Sequence, residues 1–207
     1  MKRALEEVYG TSGTLDSYNM AGRSDVQTVL AVLTAVGIPE ARVRERLPQY
    51  RRAFARYLEE ELRSRPPLPL PGARELVERL TRRPDAVLGV ITGNIVEGAA
   101  LKLTYAGFDP TLFRVGAYGN DALDRDELAA IALRRARELG IPVERWKTTV
   151  VGDTPLDVRC GRAVGARVVA VATGPYTMEE LAALRPDVLL PNLADVDRAE
   201  AAILGTE

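Results

Sequence analysis

Two aspartates four residues apart follow a short β-branched run in the second half of the chain. The run Thr-Thr-Val-Val at 148–151 leads directly into Gly152 and Asp153, and Asp157 comes after Pro155. A run of this kind that ends in Gly-Asp predicts a buried parallel strand, with its carboxylate at the edge where open α/β sheets bind ligands. If Pro155 opens a helix, both carboxylates can face one small polar site, and such hard oxygen donors suit Mg²⁺. The alternative is that Asp153 serves only as a turn residue and helix cap.

A second apolar run, at 86–91, also ends in small polar residues, which are Thr92, Gly93 and Asn94. The following residues, 95–105, are typical of a helix that ends before a glycine, so the polar residues are predicted at a helix N-terminus. Such a terminus offers a hydroxyl, an amide and free backbone N–H groups to an anion. The alternative is an ordinary strand-to-helix turn with a hydroxyl cap.

Together, the two strand ends resemble those of the haloacid dehalogenase-like hydrolase superfamily, specifically its phosphoglycolate-phosphatase-like branch. The resemblance covers nearly the whole chain. It implies that Thr92 and Asn94 act in catalysis and that Gly93 helps to hold the substrate phosphate. It also implies that Asp153 and Asp157 bind Mg²⁺. The expected fold is α/β, a Rossmann-like parallel sheet with a small helical cap.

The family places a basic catalytic residue just before a helix, between these two motifs. Arg125, ahead of a predicted helix at 126–139, is the best positional match, although the family usually has lysine there. Arginine keeps the charge but is bulkier and is not an equivalent replacement. A solvated arginine at a helix start is the alternative, and Arg134 or Lys102 are other candidates for the role.

A loop near the N-terminus is a further candidate for substrate binding. The segment Ala-Gly-Arg-Ser-Asp at 21–25 resembles the loop with which related caps reach over the active site. Arg23 is therefore expected to meet a substrate carboxylate or phosphate. The alternative, which is compatible with the first, is that Ser24 or Asp25 simply caps the next helix.

The motif that carries the family's nucleophile is missing. Members begin with a strand bearing Asp-x-Asp-x-Thr, whereas residues 1–10 are typical of an amphipathic helix closed by glycine. The Gly-Thr-Leu-Asp at 13–16 copies the end of that motif, but Gly10 and Ser12 occupy the two carboxylate positions, so 11–17 are interpreted as a loop. The missing motif is thus expected upstream of Met1, and the first strand is expected to be absent.

The absent strand has a structural consequence. In the family it lies in the middle of the sheet, between the strands that here end at Ile91 and Val151. Its removal is expected to leave two interior edges with unpaired backbone groups, which are costly to bury.

Composition excludes several classes of function. A net charge of −1 over 207 residues argues against a nucleic-acid footprint. The absence of histidine excludes imidazole ligands and Ser-His-Asp triads. The one cysteine, Cys160, cannot form an internal disulfide and is expected to be a small buried residue. No signal peptide or membrane-length apolar run is visible, so a cytoplasmic protein is expected, with neither nucleic acid nor membrane as a partner.

The predicted elements fall into two parts. Helices are expected at 26–36, 39–47 and 49–64, and a proline-rich linker follows at 65–72. From residue 73 onward helices and strands alternate, which favours a parallel sheet with right-handed crossovers. Strands are expected near 87–91, 113–117, 149–151, 168–171 and 188–190. The domain prediction is a core helix within 1–15, a cap at 16–66 and a Rossmann-like core at 67–207.

Three functions remain open from the sequence. The first is a Mg²⁺-dependent phosphatase acting on a small phosphorylated metabolite through an aspartyl-phosphate, here without its nucleophile. The second is a non-catalytic protein of the same fold that binds a phosphorylated ligand or a partner. The third is a metal-independent dehalogenase, against which the paired acids Asp153 and Asp157 count.

Overall fold

The protein consists of nine helices and five strands over the residues that the computed structural model describes, which are 1–20, 22–144 and 147–206, without the side chain of Arg125. The helices are α1 Lys2–Tyr9, α2 Asp25–Thr34, α3 Glu40–Ser64, α4 Ala73–Thr81, α5 Val96–Tyr105, α6 Arg125–Glu138, α7 Pro155–Ala163, α8 Met178–Ala183 and α9 Val196–Leu204. The strands are β1 Leu88–Ile91, β2 Phe113–Ala117, β3 Thr149–Gly152, β4 Arg167–Val171 and β5 Val188–Leu190.

The predicted alternation of helices and strands from residue 73 onward is confirmed. All five strands form where apolar runs predict them, and each differs from its predicted span by at most one residue at either end. The predicted helix boundaries are also confirmed. α1 is followed by Gly10 as its C-cap, which has the left-handed φ of 77° that glycine adopts without strain. Pro155 opens α7, as expected of a residue whose missing N–H is not needed in the first turn.

The prediction of two helices at 39–47 and 49–64 is wrong. A single helix, α3, runs through Pro48. Proline removes one backbone hydrogen bond from a helix interior and crowds the preceding turn. The apolar face nevertheless continues on both sides of Pro48, because Val43, Tyr50 and Phe54 are buried in one hydrophobic cluster. Tertiary packing of this face therefore outweighs the local cost of the proline.

The strands form two parallel sheets. β1 pairs with β2, while β4 lies between β3 and β5 in a three-stranded sheet. Within the part of the chain that is described, β1 and β3 do not pair with each other. These are the two strands between which the resemblance places the family's first strand, and the expected absence of that strand stays a prediction.

The prediction that residues 149–151 form a buried strand is wrong. None of the residues of β3 is fully buried, and Val151 is 40% exposed. In contrast, four of the five residues of β4 are buried. The reason is position in the sheet: β4 has a strand on both sides, whereas β3 is an edge strand.

Both faces of the three-stranded sheet are covered by helices. Val169 and Val171 of β4 pack in a cluster with residues of α4 and α9. Val168 and Ala170, which alternate with them along the strand, pack with Val158 of α7 and a residue of α8. Because successive side chains of a strand point to opposite faces, α4 and α9 cover one face while α7 and α8 cover the other.

The chain divides into two compact units. The first comprises residues 1–68, 92–110 and 118–124, and the second comprises 69–91, 111–117 and 125–207. The first unit is helical, and its core includes α1, α2, α3 and the start of α5. The second holds both sheets. The predicted bounds of cap and core stay a prediction.

Gly72 and Gly140 provide a test of the packing between the start of α4 and the loop before α9. Both glycines have positive φ, but a Cβ on Gly72 would lie 1.7 Å from the carbonyl oxygen of Leu193, whereas one on Gly140 would meet nothing within 4 Å. Gly140→Ala is expected to cost about 1–2 kcal/mol from backbone strain alone. Gly72→Ala is expected to cost clearly more in urea unfolding, and equal losses would contradict the close approach to Leu193.

Candidate active site

The end of β3 is organised by the carboxylate of Asp157. Oδ2 of Asp157 accepts hydrogen bonds from the backbone N–H of Asp153 at 3.2 Å and of Thr154 at 3.1 Å. It also accepts one from the hydroxyl of Thr154 at 2.8 Å. The Thr154 hydroxyl in turn accepts from the backbone N–H of Asp157, which completes a capping box at the start of α7. Asp157 is 92% buried, so this turn is held firmly.

Two glycines, Gly152 and Gly174, lie directly against the side chains of Asp157 and Asp153. A Cβ on Gly152 would lie 2.2 Å from Cβ of Asp157, and one on Gly174 would lie 2.7 Å from Oδ2 of Asp153. Only a residue without a side chain fits at either position. Sequence reasoning found Gly152 as part of the strand end, but nothing in the sequence marks Gly174, which lies 21 positions after Asp153.

The residues after β3 fit a Mg²⁺ ion in their chemistry. Mg²⁺ is commonly held by one or two carboxylates while it keeps several waters. Asp153 follows the last strand residue, and its backbone is fixed by Asp157, whose Oδ2 is engaged in the capping box. No group of three or more acidic or cysteine side chains suited to a metal occurs among the described residues. The donor set at this turn is thus small, with Asp153 as its main candidate and the binding role of Asp157 still a prediction.

The turn after β1 brings its polar side chains together. Oγ1 of Thr92 accepts hydrogen bonds from the backbone N–H of Asn94 at 3.2 Å and from its side-chain amide at 2.8 Å. Oδ1 of Asn94 accepts from Nζ of Lys102 at 2.5 Å. Lys102, one of the candidates for the basic residue, therefore lies beside this turn. The arrangement links a hydroxyl, an amide and a cation in one chain of contacts.

The expectation of free backbone N–H groups at the start of α5 is wrong for the first two positions. The N–H of Ile95 donates to Oδ2 of Asp25 at 2.8 Å, and that of Val96 donates to Oδ1 of Asn120 at 3.0 Å. Side chains from distant segments therefore cap this helix start. Neither capping residue is marked by its local sequence as a partner of α5, because both contacts depend on tertiary structure.

Three loops meet at this helix start within the first unit. The N–H of Asp25 donates to the carbonyl of Gly93 at 2.7 Å, and that of Gly119 donates to the carbonyl of Asn94 at 2.8 Å. A Cβ on Gly93 would lie 2.9 Å from the carbonyl oxygen of Arg23, and one on Gly119 would lie 1.9 Å from that of Gly93. The loop at 22–25 therefore rests directly on the Thr92–Asn94 turn.

The carboxylate of Asp25 is a partly buried charged group at the start of α5. Burial raises the pKa of its carboxyl group above the ordinary value, an effect that the hydrogen bond from Ile95 and the charge of Lys102 oppose. The ionised form is thus held at a cost in stability. Asp25 also lies in the first turn of α2, where Ser24 is the N-cap and accepts from the N–H of Gln27 at 3.1 Å. The predicted capping by Ser24 is confirmed.

The arginine candidates lie in different settings. The guanidinium carbon of Arg23 lies 5.6 Å from the ring centre of Tyr18, a cation–π contact, and the residue is exposed. Arg134 forms an exposed ion pair with Glu138 one turn along the same helix. Arg125 is the first residue of α6, and its side chain lies outside the described residues. The assignment of the basic residue stays a prediction.

Comparison with solved structures supports the fold. A hydrolase from Pseudomonas syringae matches with a TM-score of 0.62 and 20% identity over 95% of this chain and 86% of its own. A predicted phosphoglycolate phosphatase from Haemophilus somnus 129pt matches with 0.62 and 20%, over 96% and 87%. CbbY from Rhodobacter sphaeroides in complex with phosphate matches with 0.64 and 18%, over 94% and 88%.

The chain has the haloacid dehalogenase-like fold. A family model described as "HAD-hyrolase-like" matches residues 127–196, a segment that contains both Asp153 and Asp157. No curated protein matches the chain. The predicted resemblance to haloacid dehalogenase-like hydrolases is confirmed at the level of fold. Among the described residues, no helix is both long enough and apolar enough to cross a membrane.

Two substitutions of Asp25 separate its hydrogen bond from its charge. Asp25→Ala leaves the N–H of Ile95 without its acceptor and is expected to cost about 1–3 kcal/mol in urea unfolding. Asp25→Asn keeps an acceptor but removes the buried charge. Since the carboxyl pKa is raised in the folded state, the folded protein loses stability as pH rises from near 3.8 through that higher pKa.

The stability of Asp25→Asn relative to the unsubstituted protein is therefore expected to increase between pH 3.5 and pH 7. Unfolding curves at both pH values test this expectation. A relative stability that does not change with pH would contradict the cost of the buried charge. Equal losses for the two variants would contradict the role of the hydrogen bond to Ile95.

Proposed function

We propose that this chain provides the metal-binding and phosphate-binding residues of a Mg²⁺-dependent phosphatase for a small phosphorylated metabolite. The observation that carries the proposal is the turn after β3, where a buried capping box fixes Asp153 at the carboxyl end of a parallel strand. Open α/β sheets bind ligands at this edge. The fold and the phosphate complex of CbbY support the choice of substrate class.

Each proposed residue has a distinct role. Asp153 would hold the metal ion, and Asp157 would both orient Asp153 through its backbone and contribute to the metal site. Thr92 and the amide of Asn94 would donate hydrogen bonds to phosphoryl oxygens, and Gly93 would allow the close approach of the backbone. Bound Mg²⁺ would neutralise charge on the phosphoryl oxygens. Arg125 or Lys102 would add positive charge, and Arg23 would meet the rest of the substrate.

Lys102 has the stronger structural support of the two candidates for the basic residue. Its ammonium group already contacts Asn94, so it can reach an anion bound at that turn after a small rotation of its flexible side chain. The family resemblance favours Arg125 by position. Each residue is replaced by methionine or leucine, and the affinity of each variant for inorganic phosphate is measured by isothermal titration. Only replacement of the residue that contacts phosphate is expected to change that affinity.

The covalent nucleophile has no candidate in the N-terminal segment. Residues 2–9 form α1, and residues 11–17 form a loop with a short 3₁₀ turn, so no strand there carries Asp-x-Asp. Weak turnover is therefore expected for residues 1–207 tested alone. A non-catalytic protein of the same fold that binds a phosphorylated ligand is the second candidate. A cytoplasmic location is part of both proposals.

Mg²⁺ binding tests the metal site without requiring turnover. In isothermal titration, Asp153→Asn is expected to weaken Mg²⁺ binding about tenfold or more, because a charged ligand is lost. Asp16→Asn is the control, since Asp16 is a solvent-exposed aspartate outside the proposed site, with a side chain 74% exposed. Loss of affinity in both variants, or in neither, would contradict the assignment of Asp153.

Phosphate release from a substrate panel tests the activity. We expect Mg²⁺-dependent release from a chain extended at its N-terminus by a strand with the Asp-x-Asp-x-Thr motif, and little release from residues 1–207. An extended chain whose first motif aspartate is changed to asparagine is the matched control. If the extended chain folds and binds Mg²⁺ but releases no phosphate from any substrate, the binding function replaces the catalytic one.

Asp157→Asn tests the contribution of the Asp157 carboxylate to stability. The amide keeps one acceptor oxygen but brings an N–H₂ group into a site where Oδ2 accepts three hydrogen bonds. A loss of about 1–3 kcal/mol is expected in urea unfolding. Thr177→Ala, which breaks the matched capping box of α8 with Glu180, is the control for capping alone and is expected to cost about 1 kcal/mol.

A further inference from the structure

The loop after β4 lies directly against the carboxylate of Asp153. A Cβ on Gly174 would lie 2.7 Å from Oδ2 and 2.9 Å from Cγ of Asp153, and 3.2 Å from its backbone carbonyl oxygen. Carbon atoms in favourable contact lie about 3.5–4.0 Å apart, so a side chain at position 174 would overlap the carboxylate where it now stands. The backbone of this loop therefore forms one wall of the space that the Asp153 side chain occupies.

Hydrogen bonds fix the start of this loop, which covers residues 172–177. The backbone N–H of Ala172 donates to the carbonyl of Leu190 in β5 at 2.9 Å. The N–H of Thr173 donates to the carbonyl of Val171, two residues earlier, also at 2.9 Å. A hydrogen bond between residues two apart closes a tight turn directly after β4. Because β4 pairs in parallel with β3, this turn lies at the same sheet edge as Asp153.

The end of the loop is fixed as well. The N–H of Thr177 donates to Oε2 of Glu180 at 2.8 Å, and the Thr177 hydroxyl accepts from the N–H of Glu180 at 3.2 Å, which makes the capping box of α8. Pro175 restricts the backbone of Gly174, because the residue before a proline avoids the helical region. The loop is thus anchored on both sides of Gly174, and its movement away from Asp153 would break these contacts.

A Cβ on Gly174 would meet the movable end of a side chain. Cγ and Oδ2 of Asp153 change place by rotation about the Cα–Cβ bond, which requires no shift of the backbone. The φ of Gly174 is not positive, so alanine is compatible with its backbone. Gly152 differs, because a Cβ there would lie 2.2 Å from Cβ of Asp157, an atom bonded to the backbone. Alanine at position 174 is therefore expected to displace the carboxylate of Asp153 rather than the fold.

We propose that Gly174 is a positioning residue for the metal site, because it leaves the space in which the carboxylate of Asp153 takes its metal-binding conformation. The backbone of Asp153 is held by Oδ2 of Asp157, and Gly174 limits the side chain. Mg²⁺ requires near-ideal octahedral geometry, so a displaced carboxylate binds it poorly. This inference rests on the proposed metal-binding role of Asp153.

Isothermal titration with Mg²⁺ and with Ca²⁺ tests the proposal. Gly174→Ala is expected to weaken Mg²⁺ binding about tenfold or more, the usual effect of changing a group that holds a metal ligand in place. The affinity for Ca²⁺ is expected to fall less, because Ca²⁺ accepts a more flexible geometry. Gly98→Ala is the matched control in the first unit, where the nearest atom to a Cβ would be a ring carbon of Phe54 at 3.1 Å. It is expected to leave both affinities unchanged.

Urea unfolding without metal separates displacement of the carboxylate from damage to the fold. Gly174→Ala is expected to lower the urea midpoint far less than Gly152→Ala, because only the second substitution places a Cβ against an atom that cannot rotate away. In a chain that already carries Asp153→Ala, the effect of Gly174→Ala on the midpoint is expected to be smaller than in the unsubstituted chain. The difference between the two backgrounds measures the contact of position 174 with the carboxylate.

Three results would overturn this inference while leaving the proposed function in place. The first is an unchanged Mg²⁺ affinity in Gly174→Ala. The second is an equal loss of Mg²⁺ and Ca²⁺ affinity together with a urea midpoint as low as that of Gly152→Ala, which would show general damage to the fold. The third is an equal effect of Gly174→Ala with and without the Asp153 carboxylate. If the unsubstituted chain binds no Mg²⁺, both the proposed function and this inference fail.

Discussion

Backbone hydrogen bonding along β3 is the constraint on which the α/β half of this molecule depends. β3 is satisfied on one side by β4, and its last residue leads into the turn that Asp157 holds through its carboxylate. The strand and the turn together fix where Asp153 stands. The unpaired side of the same strand leaves Val151 exposed in a region where the neighbouring strand is buried. β3 thus combines a turn anchored by a buried carboxylate at its end with an exposed apolar residue along its length.

The two candidate loops are built on different physical principles. The turn after β3 is local, because Thr154 and Asp157 form a capping box that needs no distant partner, with Pro155 at the first position of the helix. The turn after β1 depends on distant segments, since Asp25 and Asn120 satisfy the first N–H groups of α5. Capping groups from distant loops remove these N–H groups from anion binding and leave the side chains of Thr92, Asn94 and Lys102 as the polar groups of that turn.

The partly buried carboxylate of Asp25 caps a helix of the first unit at a cost in desolvation. Burial raises the pKa of the Asp25 carboxyl group, so the hydrogen bond that it accepts from Ile95 is gained against the cost of desolvation. The nearby Lys102 reduces that cost. Lys102 therefore links the two sites, because its charge acts on Asp25 and its ammonium group donates to Oδ1 of Asn94.

The sequence by itself determined which segments become helices and strands and which residue types stand at the strand ends. Apolar runs placed all five strands, and Gly10 and Pro155 marked helix boundaries, because these signals act over a few residues. The tertiary structure decided that α3 continues through Pro48, that β3 is an edge strand and that Asp25 and Asn120 cap α5. Each of these outcomes depends on packing or hydrogen bonding between segments far apart in the chain, which no local pattern encodes.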